Sequence, residues 1–424
     1  MLLSLWAENC MIYNSRVAFS MYANMHYRRF TNNVIFQNNI HTLKTAVIIG
    51  PNNSGKTNFV RLISMLKMLM LNNRAEIEAN IFTNTPIAEV GISFLYDGKE
   101  YILEVKYNTR KKEYVYERFS EVLHDKHRNK KIHHLLIRDN TAKVYYSEDK
   151  DLHVIMQAAA KNNILIHLVD TDNFPHLKKI KDIITAFASK IDIVDMNNIP
   201  IAKTIDMLKS SEKMHREITN FLLNADLSLE DFRYLNDNEI KVVLRSNDNN
   251  SLEPQEKVLS TSSILPEMLH LVSVYKGIQV PSILFDSTGT KKMAALASYI
   301  LDALHNGRIL IIDELDNSLH FRLTRAIINM FNNELNNNSQ LIATVHDISL
   351  LDCKTLFRKE QIWFSYKDLN DTYLYSLADF TAMDNGIRDT SDLVEKYRKG
   401  VLGALPEPDL FNSLFATKKN LIYA

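Results

Sequence analysis

A phosphate-binding loop is the first chemical feature of the sequence. Residues 50–57 read Gly-Pro-Asn-Asn-Ser-Gly-Lys-Thr and fit the pattern G-x-x-x-x-G-K-[ST]. The apolar run Ala46–Ile49 precedes the loop, and Asn58–Leu71 places apolar side chains at helical spacing, so a strand and a helix flank it. Backbone N–H groups of such a loop surround phosphate oxygens, and the helix N-terminus faces the same charge. We predict that Lys56 reaches the β- and γ-phosphates and that the Thr57 hydroxyl binds Mg²⁺. The predicted nucleotide-binding residues of the loop are Gly50, Pro51, Asn52, Asn53, Ser54, Gly55, Lys56, Thr57 and Asn58.

Two adjacent acids end the apolar run Ile309–Ile312. A carboxylate at the end of a buried strand lies beside the Mg²⁺ of a P-loop NTPase, so Asp313 is the predicted metal ligand. Glu314 follows it and is the predicted general base, which polarises the attacking water. His346 ends a later apolar strand, where a sensor of the γ-phosphate is expected. The predicted catalytic residues are therefore Lys56, Glu314 and His346.

Strands and helices at the two ends of the chain must position these residues. Apolar runs and alternation predict strands at Leu2–Ala7, Val17–Tyr22, Ala46–Ile49, Ile87–Tyr96, Tyr101–Tyr107, Glu113–Phe119, Pro281–Phe285, Ile309–Ile312 and Gln340–Thr344. Asp97-Gly98 is a hairpin signal between two of them. Helical spacing predicts helices at Asn58–Leu71, Lys291–His305 and Phe321–Asn333.

The middle third of the chain has a different pattern. Leu and Ile recur at helical spacing around residues 151–161, 176–190, 200–224 and 228–235, and Glu239–Arg245 alternates like a strand. We therefore predict one α/β ATPase fold interrupted by a mainly helical insertion. Its parts are residues 1–123 with the phosphate loop, the insertion at 124–265, and residues 266–424 with the acidic strand.

Composition excludes several other classes of protein. The 424 residues include 50 basic and 50 acidic ones, a balance that argues against a polybasic nucleic-acid binder. No apolar run is long enough to cross a membrane, and the first ten residues lack a signal-peptide core. A cytoplasmic protein without a membrane partner is expected. Cys10 and Cys353 are solitary, which excludes a disulfide framework and a four-ligand zinc site.

Several spaced motifs resemble those of one family. Asp313-Glu-Leu-Asp-Asn-Ser-Leu-His320 and the later Thr344-Val-His346 are similar to the Walker B, D-loop and H-loop of ABC-type ATPases of the SMC and RecF group. Asp286–Lys292, with Ser287-Thr-Gly-Thr-Lys, resembles the variant signature of bacterial AAA-family ATPases of the RloA and AbiL type. The tail Lys396–Pro406 resembles one found in the same group. The role of His320 is left undecided, because an isolated histidine is more often a structural residue than a catalytic one.

The resemblance implies an ABC-type P-loop ATPase fold with an antiparallel β subdomain and two copies closed around ATP. In that arrangement Ser287, Gly289 and Thr290 of one protomer contact the nucleotide on the other. ATP is preferred to GTP because the sequence has no N-K-x-D-like base reader. The expected reaction is ATP hydrolysis to ADP and phosphate with Mg²⁺. No Q-loop glutamine is identified, and Tyr27 or Phe30 is a candidate for stacking on adenine.

The resemblance also suggests a partner and a biological role. RloA-like relatives are usually one half of a two-gene anti-phage or abortive-infection system. The segment after His346 is too short for the Toprim nuclease domain that some relatives carry. The leading hypothesis is therefore a sensor ATPase, a homodimer or larger assembly, that controls a separate effector encoded nearby, such as a Toprim-type nuclease.

The sequence is also compatible with other functions. A repair or chromosome-maintenance ATPase would bind DNA through Lys126–Lys131 and Arg110-Lys111-Lys112, although charge runs are more often solvated loops. A transporter subunit fits the insertion and the variant signature less well. A scaffold that binds ATP only to assemble is a fourth possibility.

Overall fold

The structure is a computed structural model. It describes residues 1–37, 39–72, 77–124, 130–138, 144–145, 161–167, 175–225, 228–240, 243, 266–369, 371–381, 386–388 and 390–405. The strands in chain order are β1 (Leu2–Glu8), β2 (Val17–Ser20), β3 (Val34–Gln37), β4 (Ile40–Leu43), β5 (Thr45–Ile49), β6 (Ile87–Tyr96), β7 (Lys99–Asn108), β8 (Glu113–His124), β9 (Lys130–Arg138), β10 (Val144–Tyr145), β11 (Ile191–Asp195), β12 (Asp231–Tyr234), β13 (Leu271–Tyr275), β14 (Ile278–Pro281), β15 (Ile309–Asp313), β16 (Gln340–Val345), β17 (Ile362–Lys367) and β18 (Thr372–Ser376).

The α-helices connect these strands or cover the sheets. In chain order they are α1 (Lys56–Leu71), α2 (Pro175–Ala188), α3 (Ala202–Ser210), α4 (Glu212–Asn224), α5 (Ser282–Phe285), α6 (Thr288–Asn306), α7 (Phe321–Asn332) and α8 (Leu393–Arg398). Among the described residues no helix is long and apolar enough to cross a membrane.

The central sheet carries the site. Its six strands run in the order β11-β15-β16-β5-β17-β18, and all neighbours are parallel except the last pair. Strands β5, β15 and β16 are buried along their whole length, which explains their continuous apolar sequences. Alternate side chains enter two separate cores: one contains α1 and α2, and the other contains α6 and α7.

A second sheet is entirely antiparallel. Its seven strands run β10-β9-β8-β7-β6-β1-β2, and the hairpin between β6 and β7 turns at Asp97-Gly98 as predicted. The hydrophobic core that contains α1 fills the space between the two sheets. The predicted fold class, an ABC-type P-loop ATPase fold with an antiparallel β subdomain, is confirmed. Cys10 and Cys353 are free and buried.

Some local predictions are wrong. Residues 228–235 were expected to be helical, but β12 pairs with β13 there and Phe232 is fully buried, so strand pairing overrides the local pattern. Pro281–Phe285 was expected to be a strand; Pro281 ends β14 and is the residue before the short helix α5, where its φ of −59° matches the value that the proline ring imposes. Glu239–Arg245 was expected to be extended; residues 239, 240 and 243 are helical, and the rest of that segment lies outside the described residues. The other strands and helices predicted for the two end regions are confirmed.

The middle third contributes to both sheets. Strand β9 extends the antiparallel sheet, and β11 pairs in parallel with β15 inside the central sheet. The helical patterns at 176–190 and 200–224 correspond to α2, α3 and α4. Most of the pattern at 151–161 lies outside the described residues. The two predicted domain boundaries, at 123/124 and 265/266, therefore remain predictions.

Candidate functional site

The phosphate loop joins β5 to α1 at the carboxyl edge of the central sheet. Gly55 is the residue before the helix and has a φ of 106°, while Asn53 has a φ of 61°. Both values lie in the left-handed region, which glycine and asparagine tolerate best. Asn52, Asn53 and Thr57 are exposed, Pro51 and Asn58 are half-buried, and Ser54 is buried. The tip of the loop at Asn52 and Asn53 is therefore exposed to solvent, whereas Ser54 is packed inside the protein.

The two loop glycines are required by close contacts. A Cβ at Gly50 would lie 2.2 Å from the carbonyl oxygen of Ser365 on β17. A Cβ at Gly55 would lie 2.7 Å from the Ile12 side chain and 2.8 Å from Thr372. Ser365 Oγ also donates a hydrogen bond to the Ser54 carbonyl, at 2.8 Å. Strand β17 therefore packs against the phosphate loop.

Lys56 lies inside the loop that precedes it. Its Nζ donates hydrogen bonds to the carbonyls of Gly50 at 2.6 Å and Pro51 at 2.8 Å. Burial lowers the pKa of Lys56 to about 8, against the opposing effect of the Asp316, Asp313 and Glu314 carboxylates. The ammonium group therefore lies within the electrostatic reach of the acidic strand end, as the predicted site requires.

Asp313 ends β15 in a buried position, with 6% of its surface exposed. Thr344 on the neighbouring strand β16 donates its hydroxyl to Asp313 Oδ1 at 2.6 Å. The same hydroxyl oxygen accepts the backbone N–H of Glu314 at 2.8 Å. Glu314 has a φ of 57°, a conformation that costs an ordinary residue energy and often marks functional sites. Thr344 therefore sets the positions of both acids.

The Glu314 side chain is surrounded by donors. Asn197 and Asn317 each donate an amide N–H to Oε2 at 3.0 Å, and His346 Nε2 lies 3.6 Å from Oε1. The hydrogen bond from Asn197 is the largest cause that lowers the pKa of Glu314; burial opposes it, while Asn317 and His346 reinforce it. Asn197 was missed by the sequence analysis, because it lies in the middle third, far from any motif.

Asp316 connects the acidic strand end to the histidine segment. Its Oδ2 accepts the backbone N–H groups of His346 at 2.8 Å and Asp347 at 2.7 Å. His346 is thereby held at the end of β16 beside Glu314. His320, which the sequence left open, precedes α7, and its Nδ1 accepts the Arg322 N–H at 3.3 Å. That contact is a helix cap.

The predicted signature residues begin α6. Ser287 is the N-cap, its Oγ accepts the Thr290 N–H at 3.1 Å, and it is exposed. A Cβ at Gly289 would lie 3.1 Å from the Ser318 carbonyl, so α6 starts directly against the turn after the acidic strand. Asp286 is buried and accepts hydroxyl hydrogen bonds from Ser273, Tyr275 and Ser282, which anchor this start.

The two adenine-stacking candidates lie at the wrong edge of the sheet. The backbone carbonyl of Tyr27 accepts a hydrogen bond from Arg358 at 3.1 Å, and the Arg358 guanidinium lies over the Tyr27 ring. Arg358 precedes β17, so Tyr27 and the nearby Phe30 lie where the parallel strands begin, whereas the loop lies where they end. The Ile12 side chain does lie close to the loop, since a Cβ at Gly55 would be 2.7 Å from it. Ile12 belongs to the segment between β1 and β2.

This arrangement is that of an ABC-type P-loop ATPase domain: a phosphate loop after one parallel strand, paired acids after another, and a histidine after the strand between them. A family model described as "AAA domain, putative AbiEii toxin, Type IV TA system" matches residues 46–352. The chain belongs to this family. The matched region runs from β5 to just beyond His346.

Solved structures resemble the chain at low identity. The SMC head domain from Thermotoga maritima is 11% identical, with 88% of this chain and 98% of that chain covered and a TM-score of 0.41. The Smc head domain with an extended coiled coil bound to the C-terminal domain of ScpA, derived from Pyrococcus furiosus, is 13% identical, with 94% and 99% covered and a TM-score of 0.40. A comparison with curated proteins gave no match.

Proposed function

We propose that the protein binds ATP with Mg²⁺ and hydrolyses it to ADP and phosphate. One observation carries this proposal. Strands β5 and β15 end at the same edge of the sheet, which brings the Lys56 ammonium within electrostatic reach of Asp313 and Glu314. A cation and two carboxylates at one edge of a sheet suit a phosphate chain and the divalent ion that accompanies it.

The loop fits a polyphosphate. Its glycines leave no room for a Cβ, its N–H groups precede the N-terminus of α1, and the buried Oγ of Ser54 has no hydrogen-bond partner among the described residues. Residues 50–58 would hold the phosphates, and Thr57 with Asp313 would hold Mg²⁺. Magnesium, when bound, supplies positive charge that offsets the charge developed on the phosphoryl oxygens.

The hydrogen-bond donors around Glu314 indicate the roles of its two carboxylate oxygens. Glu314 Oε2 is engaged by two amides, so Oε1 is the oxygen available to accept a proton from water. His346 lies beside that oxygen and faces the same edge. Lys56 has only loop carbonyls as described hydrogen-bond partners, which phosphate oxygens can replace.

A second copy completes the proposed site. Ser287 is exposed at the start of α6. Among the described residues its side chain forms hydrogen bonds with Thr290, in the same helical turn. Among the described residues, no hydrogen bond joins Ser287, Gly289 or Thr290 to the phosphate loop of the same chain. We therefore assign Ser287 and Gly289 to the nucleotide of the partner protomer, in an ATP-dependent homodimer. Thr290 is buried and bonds the Ser287 hydroxyl at 2.9 Å, so it would orient that hydroxyl.

The direct test measures nucleotide binding and hydrolysis on purified protein. Wild type is expected to bind ATP by calorimetry and release phosphate only with Mg²⁺, and Lys56→Ala is expected to lose both. Lys44→Ala is the matched control, because Lys44 is also a buried lysine but bonds the Asn333 carbonyl at the other edge of the sheet. Absence of ATP binding by folded wild type would contradict the proposal.

The proposed biological role is control of a separate effector in anti-phage defence, in the manner of RloA- and AbiL-type ATPases. The family description, which names a toxin of a toxin–antitoxin system, supports a defence context. A pull-down with the product of the neighbouring gene, with and without ATP and Mg²⁺, tests it. A complex is expected, and its absence under both conditions would count against this role.

DNA binding through the basic segments is the alternative function. Lys130 bonds the Glu100 carboxylate at 3.3 Å, so part of its charge is already paired. Lys111 and Lys112 are exposed in the turn between β7 and β8, and residues 126–129 lie outside the described part. Duplex binding whose affinity falls steeply with salt would favour this function.

A further inference from the structure

Asn197 and Asn317 form an amide bridge over the Glu314 carboxylate. Each donates to Glu314 Oε2 at 3.0 Å, and Asn317 Nδ2 also donates to Asn197 Oδ1 at 2.8 Å. The three side chains therefore bond one another in a closed triangle. Asn317 is a near neighbour of Glu314 in sequence, whereas Asn197 is 117 residues away.

The position of Asn197 is set by the central sheet. Strand β11 pairs in parallel with β15 in the register that places Asp195 opposite Asp313. The next residue, Met196, donates its N–H to the Asp313 carbonyl at 3.1 Å. Asp195 Oδ1 accepts both the backbone N–H of Asn197 at 2.8 Å and its side-chain Nδ2 at 3.1 Å. The donor amide is therefore oriented by groups that do not depend on Glu314.

Helix α6 holds the other end of the bridge. Lys292 Nζ donates to Asn317 Oδ1 at 3.0 Å and also bonds Ser318 Oγ at 3.1 Å. A polar chain therefore runs from the first turns of α6 through Lys292 and Asn317 to the Glu314 carboxylate.

A second connection passes through α3, which follows the Asn197 loop. Its buried Thr204 bonds the Ala295 carbonyl at 3.1 Å and the Ser298 hydroxyl at 2.9 Å, both on α6. The loop that carries Asn197 is thus fixed to β15 at one end and to α6 at the other.

We propose that Asn197 is a positioning residue that, together with Asn317, orients the Glu314 carboxylate and couples it to α6 within one protomer. This inference rests on the proposed hydrolysis with Glu314 as base. Glu314 lies just beyond the end of a strand and is only half-buried, so its side chain lacks support from packing. Two donors on Oε2 restrict the carboxylate and direct Oε1 toward His346.

The substitutions Asn197→Ala and Asn197→Asp test the bridge. Both remove the N–H donor, and aspartate keeps the shape of asparagine. We expect kcat for Mg–ATP to fall about tenfold with Ala, and at least as far with Asp, because misorientation of a base slows proton transfer. KM for ATP should stay unchanged, since neither variant alters the phosphate loop. A role in packing alone would instead predict a lower thermal stability of Asn197→Ala with wild-type kcat in the folded protein.

Asn198→Ala is the matched control. Asn198 is the exposed neighbour in the same loop, and its described hydrogen bond is made by its backbone N–H, to the Asp195 carbonyl at 3.0 Å. We expect wild-type kcat and KM for this variant. Wild-type kcat in both Asn197 variants would overturn the inference.

A measurement without nucleotide separates this inference from the proposed function. In ligand-free protein labelled with ¹⁵N-asparagine, the side-chain amide signal of Asn197 is identified by its loss in Asn197→Ala. Glu314→Ala is expected to shift this signal and to leave the Asn198 signal in place. An unmoved Asn197 signal would overturn the bridge. Absent hydrolysis with a shifted signal would instead contradict the proposed function alone.

Discussion

The two sides of the candidate site are built differently. The phosphate side is one continuous segment between β5 and α1, and every residue proposed to touch phosphate there lies within residues 50–58. The carboxylate side gathers groups from the ends of β11, β15 and β16 and from the start of α6. A continuous loop depends mainly on its own backbone geometry, whereas a gathered cluster depends on the order and register of the sheet. The two sides should therefore respond differently to substitution.

The largest expected effect is a loss of ATP hydrolysis without a loss of ATP binding. Glu314→Gln keeps the shape of the side chain but cannot accept a proton, so hydrolysis should fall by about a thousandfold while ATP binding remains. The variant should accumulate as an ATP-bound dimer, measured by light scattering with and without ATP. Phosphate release at the wild-type rate together with unchanged assembly would show that Glu314 is not the base.

Gly50→Ala tests the continuous side. The new Cβ would lie 2.2 Å from the Ser365 carbonyl, so the loop or β17 must move. We expect loss of ATP binding and about 2–3 kcal/mol lower free energy of unfolding, measured with denaturant. For the stability measurement Gly289→Ala is the control, since its Cβ would be 3.1 Å from the nearest carbonyl oxygen. Equal stability losses in the two variants would contradict this reasoning.

Thr344→Val tests the gathered side. The hydroxyl that bonds both Asp313 and Glu314 is replaced by a methyl group of the same shape, which leaves a buried carboxylate without that donor. About 2 kcal/mol of stability should be lost, together with most hydrolysis.

Thr324→Val provides the matched control for that substitution. Thr324 is fully buried on α7, and within the described part of the chain its Oγ1 has no hydrogen-bond partner. Removal of this hydroxyl should leave stability equal or slightly higher. Thermal unfolding of the two variants side by side decides the point, and equal destabilisation would indicate a packing effect rather than the shared hydrogen bonds.

The smallest expected effect is a pH dependence of ATP binding. Burial lowers the pKa of Lys56 to about 8, so the ammonium form declines as the pH rises through that value. The affinity of the free protein for ATP should therefore weaken above about pH 8, by at most about tenfold per pH unit. Calorimetry between pH 7 and 9 measures it.

Two lysine variants identify the group responsible for that pH dependence. Lys56→Arg should remove the decline, because arginine keeps its charge across this range. Lys44 also has a pKa lowered to about 8 by burial, but Lys44→Arg should leave the decline unchanged. Persistence of the decline in Lys56→Arg would assign it to another group.

Much of the sheet was predictable, and the reasons are local. Strands β5, β15 and β16 are short apolar runs that end in polar residues, and α1 and α6 have clear helical spacing. The failures occurred where a neighbour decided the structure. Phe232 is in a strand because β13 pairs with its segment, and Tyr27 is remote from the loop because it contacts Arg358.

The sequence by itself determined the phosphate loop, the acidic strand end and their flanking elements, because motif, strand and helix signals each lie within a few consecutive residues. Only the tertiary structure decided that β11 lies beside β15 and that Asn197 reaches Glu314 across 117 residues. Parallel pairing places residues from distant segments at one edge of a sheet, and the polar groups that meet there depend on strand order and register, which no short segment encodes.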